Sequence, residues 1–549
     1  MSHPPPQISG TVYEAFRRTT EEHAQREFLH VLPQTAANYC MEARAWSYGQ
    51  SAREAEVLLS RYRQAGYGHG HRVGLMLENR PAFLFHWLAL NALGVSVVPI
   101  STEWRSAELE YLVAHSEISA AVVPEGRGAE LTRAALAAGR PLGVTRPDLA
   151  DLPQAAFPAP ALTEPDIDTE CALLYTSGTT GRPKGCVLPN EYFLSAGSWY
   201  GRLDGLCRIR PGRERLITPL PLSHMNAMAF SSMVMLLTGG CIIQLDRFHP
   251  GTWWESVIAS GATIVHYLGV MPPMLLGAAP SRGDRDHDVR FGFGAGVSPR
   301  LHAAFESRFG FPLVEAWAMT ETGAGAAIIA NHEPRKVGTA CFGRPGAEIE
   351  YRLVDDRGQD VAAGQPGELL VRRTGDAPRR GFFREYLKEP AATETAWAGG
   401  YFHTGDVVQL DADSDFHFID RKKNVIRRSG ENISAVEVES VLLQHPGVAA
   451  VGVTAVPDEI RGDEVMACVV PRRQLNEPER AAFARELTRF CLDRLAYFKA
   501  PGYIGFCERL PLTATEKIQR AQLKALGEAL LRGPACVDLR PLKKRTAVT

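Results

Sequence analysis

The sequence predicts an α/β protein: a large N-terminal domain of parallel sheets with a small β subdomain, then a small α+β C-terminal domain. Three observations lead there. Strand-like and helix-like segments alternate through the first third, the pattern of a parallel sheet with right-handed crossovers. Short β-type runs separated by Gly-Gln and Asp-Arg-Gly turns occupy 347–372. A charged stretch at Asp420 then precedes a compact module of helices and strands. At 549 residues the chain exceeds one ordinary core, and the predicted domains are 1–420 and 421–549.

Taken in order, 50–65 reads as a helix, 72–77 as a buried strand, 82–93 as an apolar helix, and 95–100 and 119–123 as further strands. The proline- and alanine-rich stretch 141–168 reads as a linker, followed by a strand at 171–175. Alternation resumes to about residue 330. Beyond Asp420, a helix is predicted at 436–443, strands at 448–453 and 465–470, and a longer helix at 477–495.

Composition bounds the function. Hydrophobic residues make up 45% and charged residues 22%, as in a soluble globular protein. The net charge of −2 gives no bulk attraction for nucleic acid or an anionic membrane. The clusters Arg421-Lys422-Lys423 and Lys543-Lys544-Arg545 read on their own as solvated faces. No cysteine pair has CxxC spacing, so the thiols are expected reduced and buried. The first residues lack a signal-peptide pattern, and apolar runs such as Phe230 to Leu237 fall short of a membrane span. A cytoplasmic protein without a transmembrane segment is expected, and a homodimer is left open.

The chemistry is concentrated in a few motifs. Leu174-Tyr175-Thr176-Ser177-Gly178-Thr179-Thr180-Gly181-Arg182-Pro183-Lys184-Gly185 follows an apolar run. A strand there empties into a loop suited to phosphate. Glycines let the backbone approach, hydroxyls and N–H groups donate to phosphate oxygens, and Lys184 adds positive charge. It is not a Walker A loop, since Lys184 follows Pro183 and precedes Gly185. Glu315-Ala316-Trp317-Ala318-Met319-Thr320-Glu321-Thr322 supplies an aromatic face, a hydroxyl and a hard oxygen ligand suited to Mg²⁺. Taken alone, Trp317 also reads as a core aromatic and Glu321 as a surface carboxylate. Gly292-Phe293-Gly294-Ala295-Gly296-Val297-Ser298 in isolation is an ordinary turn.

Together these motifs resemble those of the acyl-adenylate-forming (AMP-binding) superfamily, in particular the acyl-CoA synthetases that include crotonobetaine/carnitine and fatty-acid ligases. The resemblance spans about residues 46 to 525. It implies ATP and AMP binding by Thr176, Ser177, Gly178, Thr179, Thr180, Gly181 and Lys184. It further implies an adenine loop at Gly294, Ala295 and Gly296, stacking by Trp317, α-phosphate contact by Thr320, and Mg²⁺ ligation by Glu321. Tyr401-Phe402-His403-Thr404-Gly405-Asp406 is similar to the family's Trp-x-x-Thr-Gly-Asp, whose aspartate takes the ribose hydroxyls. Asp420-Arg421-Lys422-Lys423-Asn424 resembles Asp-Arg-x-Lys-Asp, implying a ribose contact at Arg421 and a hinge at Lys423. Gly430, Glu431 and Asn432 would line the pantetheine path of CoA. Leu512 to Arg520 resembles Thr-x-Thr-Gly-Lys-Ile-x-Arg, which makes Lys517 the mobile catalytic lysine. Pro219 to Asn226 resembles a Pro-x-x-His region, with His224 at the carboxylate and thiol path, and no aspartate for an α-amine lies between Pro219 and Met228. By position Tyr267, Gly269 and Gly323 would line the acyl pocket.

The reaction implied is ATP-dependent ligation of a carboxylic acid to CoA through an acyl-adenylate. Two alternatives are an adenylation enzyme loading a carrier-protein thiol, and a nucleotide-binding homologue without catalysis. Lys517 and Glu321 are both present, which counts against the second.

Overall fold

The computed structural model describes residues 9–160, 163–176, 183–355, 357–421, 426–429, 431–433, 435–511, 518 and 520–543. Two mixed sheets dominate. A seven-stranded sheet has Ser96–Pro99, Arg72–Leu75, Ala120–Val122 and Gly143–Thr145 running parallel beside Glu170–Thr176. An eight-stranded sheet has Arg215–Thr218, Cys241–Gln244, Ile264–Leu268, Phe291–Ala295 and Leu313–Trp317 in parallel. Ser96–Pro99 is buried at every position, as expected of a strand covered on both faces.

The first-third expectations correspond to the observed helix Tyr48–Gln64, strand Arg72–Leu75, helix Pro81–Asn91 and strand Ser96–Pro99. Ser47 and Gln50 form a reciprocal capping box at the first of these helices. Pro81 opens the second, and ten of its eleven residues are buried. The segment 141–168 is not only a linker, because Gly143–Thr145 extends the sheet edge. Three residues amid prolines give no readable alternation.

Residues 349–354 and 367–373 lie in a five-stranded antiparallel sheet with Phe402–Leu410, Phe416–Arg421 and Cys341–Gly343. The chain then builds a separate core from Ile426, Val438, Val453, Val465 and Ile504 around the hairpin Val448–Asp458/Gly462–Pro471. Helices Ala435–Leu442 and Glu477–Leu492 belong to this unit. Cys40 is exposed and Cys507 and Cys536 half-buried, while the other seven cysteines are buried; all are free. Among the described residues no helix is long and apolar enough to cross a membrane.

Two buried ionic clusters shape the carboxyl-terminal unit. Glu464 accepts two hydrogen bonds from Arg428 Nε, at 2.9 and 2.8 Å, and pairs with Lys543, all three side chains being essentially inaccessible. Gly502 makes room for it, since a Cβ there would lie 2.4 Å from the Glu464 carboxyl carbon. The second cluster crosses to the large domain: Lys499 Nζ donates to Glu108 Oε1 at 2.6 Å and to Glu437 Oε1 at 2.9 Å. Burial works against the Lys499 charge, but the two carboxylates outweigh it and raise its pKa. Trp104 packs against the hydrophobic cores of both units.

Candidate active site

The strands Glu170–Thr176 and Lys184–Pro189 form an antiparallel hairpin in which Thr176 pairs with Lys184. This register brings both ends of the glycine-rich loop to the mouth of a cavity of about 1340 Å³. The loop residues Ser177, Gly178, Thr179, Thr180 and Gly181 lie outside the described residues, as do Lys423, Gly430 and Lys517. Arg421 and Asn432 are placed only as strand positions, Arg421 opposite Asp406 and Asn432 opposite Arg427.

Thr176, Lys184, His224, Gly294, Ala295, Gly296, Trp317, Thr320, Glu321 and Glu431 all border this one cavity. Strand order explains the convergence. Phe291–Ala295 and Leu313–Trp317 are parallel neighbours, so the two motifs that follow them emerge at the same edge. Glu321 is buried and accepts from Tyr386 Oη at 3.1 Å and Thr176 Oγ1 at 3.4 Å. Lys184 Nζ lies 3.8 Å from Glu389 and 4.5 Å from the centre of the Tyr386 ring. Met319 N–H donates to Thr322 Oγ1 at 2.9 Å, which holds the turn carrying Thr320 and Glu321.

Glu315 was not singled out by the sequence, yet it fixes the adenine-loop candidate. It accepts from Gly296 N–H at 2.9 Å, Val297 N–H at 3.1 Å and Tyr267 Oη at 2.6 Å. Burial raises its pKa, and those three bonds only partly offset the rise. Tyr267 is therefore a core residue and not an acyl-pocket residue; its ring is 1% exposed and its hydroxyl serves Glu315. Gly323 also turns away from the cavity, since its Cβ would meet the Tyr192 ring at 2.4 Å and the Gly381 carbonyl at 2.6 Å. Asp406 is 1% exposed and accepts from Trp317 Nε1 at 2.9 Å, at the edge of an indole ring that borders the cavity.

Gly269 borders the cavity but just follows the strand Ile264–Leu268. As a residue lining the acyl pocket, Gly269 would be expected to let a larger side chain obstruct the acyl path. The nearest atom to an added Cβ is instead the Gly296 carbonyl oxygen, at 1.8 Å. Gly269→Val should therefore push the adenine-loop backbone and lower kcat/KM at every acyl length, by roughly 5- to 150-fold (~1–3 kcal/mol of overpacking). A straight-chain acid series measures this; a loss confined to the longer acids would place the valine in the acyl path.

The carboxyl-terminal unit closes one side of the cavity. His224 Nε2 lies 3.4 Å from Glu431, and the hairpin turn at Asp458 to Gly462 borders the same space. The half-exposed His224 ring loses some solvation at the cavity wall, which lowers its pKa, but the Glu431 charge and hydrogen bond more than reverse this, and the net shift is upward. A raised histidine pKa gives a contact fully formed below the ordinary value near 6.5 and lost as pH rises through the shifted one. Protection of Glu431–Ile433 from hydrogen exchange should therefore fall as pH rises through that range, and His224→Gln should flatten the response. An equally steep response in the variant would assign it elsewhere.

Behind the cavity Asn226 joins two buried residues, Tyr200 and His266, that the sequence did not single out. Asn226–Ser231 forms a π-helical turn, an irregularity frequent at functional sites. Its Asn226 Oδ1 lies 2.8 Å from His266 Nδ1, and the Tyr200 hydroxyl lies 3.0 Å from His266 Nε2. Trp199, Phe230 and Phe293 form an aromatic wall of the same cavity, with ring centroids 5.5 to 6.4 Å apart.

Comparison with known proteins agrees with this arrangement. The family model described as AMP-binding enzyme matches residues 16–386, and that of the AMP-binding enzyme C-terminal domain matches 437–517. The chain is 30% identical over 497 residues to a crotonobetaine/carnitine–CoA ligase of Shigella flexneri, covering 87% of this chain and 93% of that one. It is 32% identical over 493 residues to a sulfoacetate–CoA ligase of Cupriavidus necator, covering 87% and 92%. A malonyl-CoA ligase solved as a ternary product complex with methylmalonyl-CoA and AMP superposes with a TM-score of 0.72 at 26% identity, covering 89% of this chain and 97% of that one.

Proposed function

The chain belongs to the AMP-binding enzymes, and from that membership we infer its reaction and the roles of its residues. It is an ATP-dependent acid–CoA ligase acting through an acyl-adenylate. A carboxylate is a poor acyl donor, because its leaving group would be oxide. Its oxygen attacks the α-phosphorus of ATP and pyrophosphate departs. The CoA thiolate then attacks the acyl carbon and AMP departs.

The observation that carries the assignment of residues is the single cavity bordered by Thr176, Lys184, Trp317, Glu321 and, from the carboxyl-terminal unit, Glu431. In this reading Lys184 leaves Glu389 for the phosphates of ATP, and Thr176 and Thr320 donate to them. Trp317 offers its face to the adenine, with the loop that Glu315 holds meeting the base edge. Mg²⁺ typically binds through one or two carboxylates plus substrate phosphates and keeps several waters. A buried carboxylate such as Glu321 suits that mode, and no group of three or more His, Cys, Asp or Glu side chains placed to hold an ion occurs among the described residues. The ion supplies charge neutralisation as pyrophosphate leaves.

We further propose that the boundary lies at residue 420 and that the carboxyl-terminal unit turns about Lys423. One arrangement would bring Lys517 to the departing pyrophosphate. The other, with Glu431 at the cavity, would leave the thiol its path along Gly430 to Asn432. The reading further takes the protein to be cytoplasmic. A carboxylic-acid panel assayed for ATP- and CoA-dependent thioester and AMP tests the whole reading. Acid-dependent pyrophosphate exchange without CoA thioester would move the acceptor to a carrier-protein thiol.

A further inference from the structure

Two residues beyond His224, which the family resemblance places at the carboxylate and thiol path, the cavity carries a fixed hydrogen-bond donor, set by a buried histidine whose tautomer can be worked out from its neighbours. His266 is fully buried, and burial lowers its pKa to about 3, so the ring is neutral, with one N–H and one acceptor nitrogen. Among the described residues its Nε2 meets only the Tyr200 hydroxyl, at 3.0 Å, and Tyr200 is equally buried. Its Nδ1 meets both Asn226 Oδ1 and Ser231 Oγ, each at 2.8 Å.

Only one arrangement satisfies every group. Tyr200 donates to Nε2, the acceptor nitrogen. Nδ1–H then donates toward Asn226 Oδ1 and Ser231 Oγ, while Ser231 donates its own proton to the Asn226 carbonyl oxygen, 3.2 Å away. The opposite tautomer would leave the buried Tyr200 proton without an acceptor and turn the Nδ1 lone pair toward the Asn226 amide oxygen, itself an acceptor, and an unmet buried donor is costly. The asparagine oxygen is thereby committed to the histidine. Its Nδ2 group, the other branch of the amide, has no acceptor among the described residues, and Asn226 borders the cavity.

Trp199, Phe230 and Phe293 border the same cavity as this donor, and the Phe293 ring stacks on His266, which holds it. The groups that contact that wall from behind, Tyr200 and His266, are uncharged. The position therefore offers two N–H bonds beside an aromatic wall that is backed by uncharged groups. An alkyl tail there would strand the amide protons, whereas a neutral oxygen acceptor would use them.

We propose that Asn226 is a specificity residue that selects carboxylic acids whose tail carries a neutral hydrogen-bond acceptor, such as a keto or ether oxygen. His266 is its positioning residue. This rests on the acid–CoA ligase reading for the identity of the site, and deepens it by naming the acid class.

The test uses matched acids: pentanoate against levulinate, and phenylpropanoate against its para-methoxy analogue. Thioester formation gives kcat/KM for each, and calorimetry gives the affinities of their sulfamate acyl-adenylate mimics. Wild type should favour the oxygen-bearing member of at least one pair by about tenfold, the worth of one well-made hydrogen bond. Asn226→Leu should erase that preference. Asn226→Asp, close to isosteric and so a control on folding, should invert it, because it presents an acceptor in place of the donor. Equal treatment of both members of every pair by wild type, or a preference unchanged in Asn226→Leu, would overturn the proposal. Thioester from no acid, with the mimics still discriminated through Asn226, would sink the ligase reading and uphold this one.

Discussion

Lys517→Ala should lower acyl-adenylate formation by on the order of 10²-fold or more, while transfer from a supplied acyl-adenylate to CoA stays close to wild type. The asymmetry follows from where charge develops. Pyrophosphate gathers negative charge as it departs, and removing one positioned electrostatic group typically costs a factor of that size. In the second half-reaction AMP leaves, and in the proposed rotation the lysine would be withdrawn with its unit. Pyrophosphate exchange and single-turnover thioester formation separate the two steps. Equal losses in both would remove Lys517 from the role assigned to it.

Glu464→Leu should destabilise the carboxyl-terminal unit by about 3–5 kcal/mol, the usual penalty for leaving buried charge unpaired. Arg428 and Lys543 both converge on this carboxylate, and neither side chain reaches solvent. The loss would appear in hydrogen exchange of the strand Gly462–Pro471, which carries Glu464. Replacing all three together, Arg428→Met, Glu464→Leu and Lys543→Met, should restore most of the stability, since a well-packed apolar cluster can match a buried ionic one. A single variant within about 1 kcal/mol of wild type would mean that water reaches the cluster on truncation and hydrates the remaining charges.

The sequence was most readable where chemistry and local geometry coincide. The run from Thr176 to Lys184 combines glycine, hydroxyl and charge, and strand register delivers its two ends to the cavity. Glu321 and Trp317 sit on a segment whose preceding strand is the neighbour of the Gly294 strand, so one parallel sheet edge gathers both. The groups that only positions in space define were not readable. Glu315 serves a loop nineteen residues away, and His266 meets Asn226 forty residues off; neither has a spacing that betrays a partner. Tyr267 and Gly323 were assigned to the pocket by position along the chain alone. Alternation along the strand turns Tyr267 to the side of Glu315, and packing against Tyr192 takes up the freedom of Gly323. The edge strand Gly143–Thr145 was hidden for a different reason, because three residues are too few to show a period.

The ion triad of Lys499 with Glu108 and Glu437 gives the proposed rotation a proton stoichiometry. Glu437 and Lys499 travel together, whereas Glu108 stays with the large domain, so parting leaves Glu108 to water. In the joined form two carboxylates share one ammonium. Burial, helped by Glu437, raises the Glu108 pKa against the pull of Lys499. A carboxyl whose pKa is higher when joined binds protons more readily in that form, so joining takes them up and parting releases them. The contact of His224 with Glu431 has the same sign, since its pKa is also raised in the joined form. Each passage between the two arrangements would thus be accompanied by exchange of protons with solvent, and acidity would bias the enzyme toward the arrangement that receives the thiol.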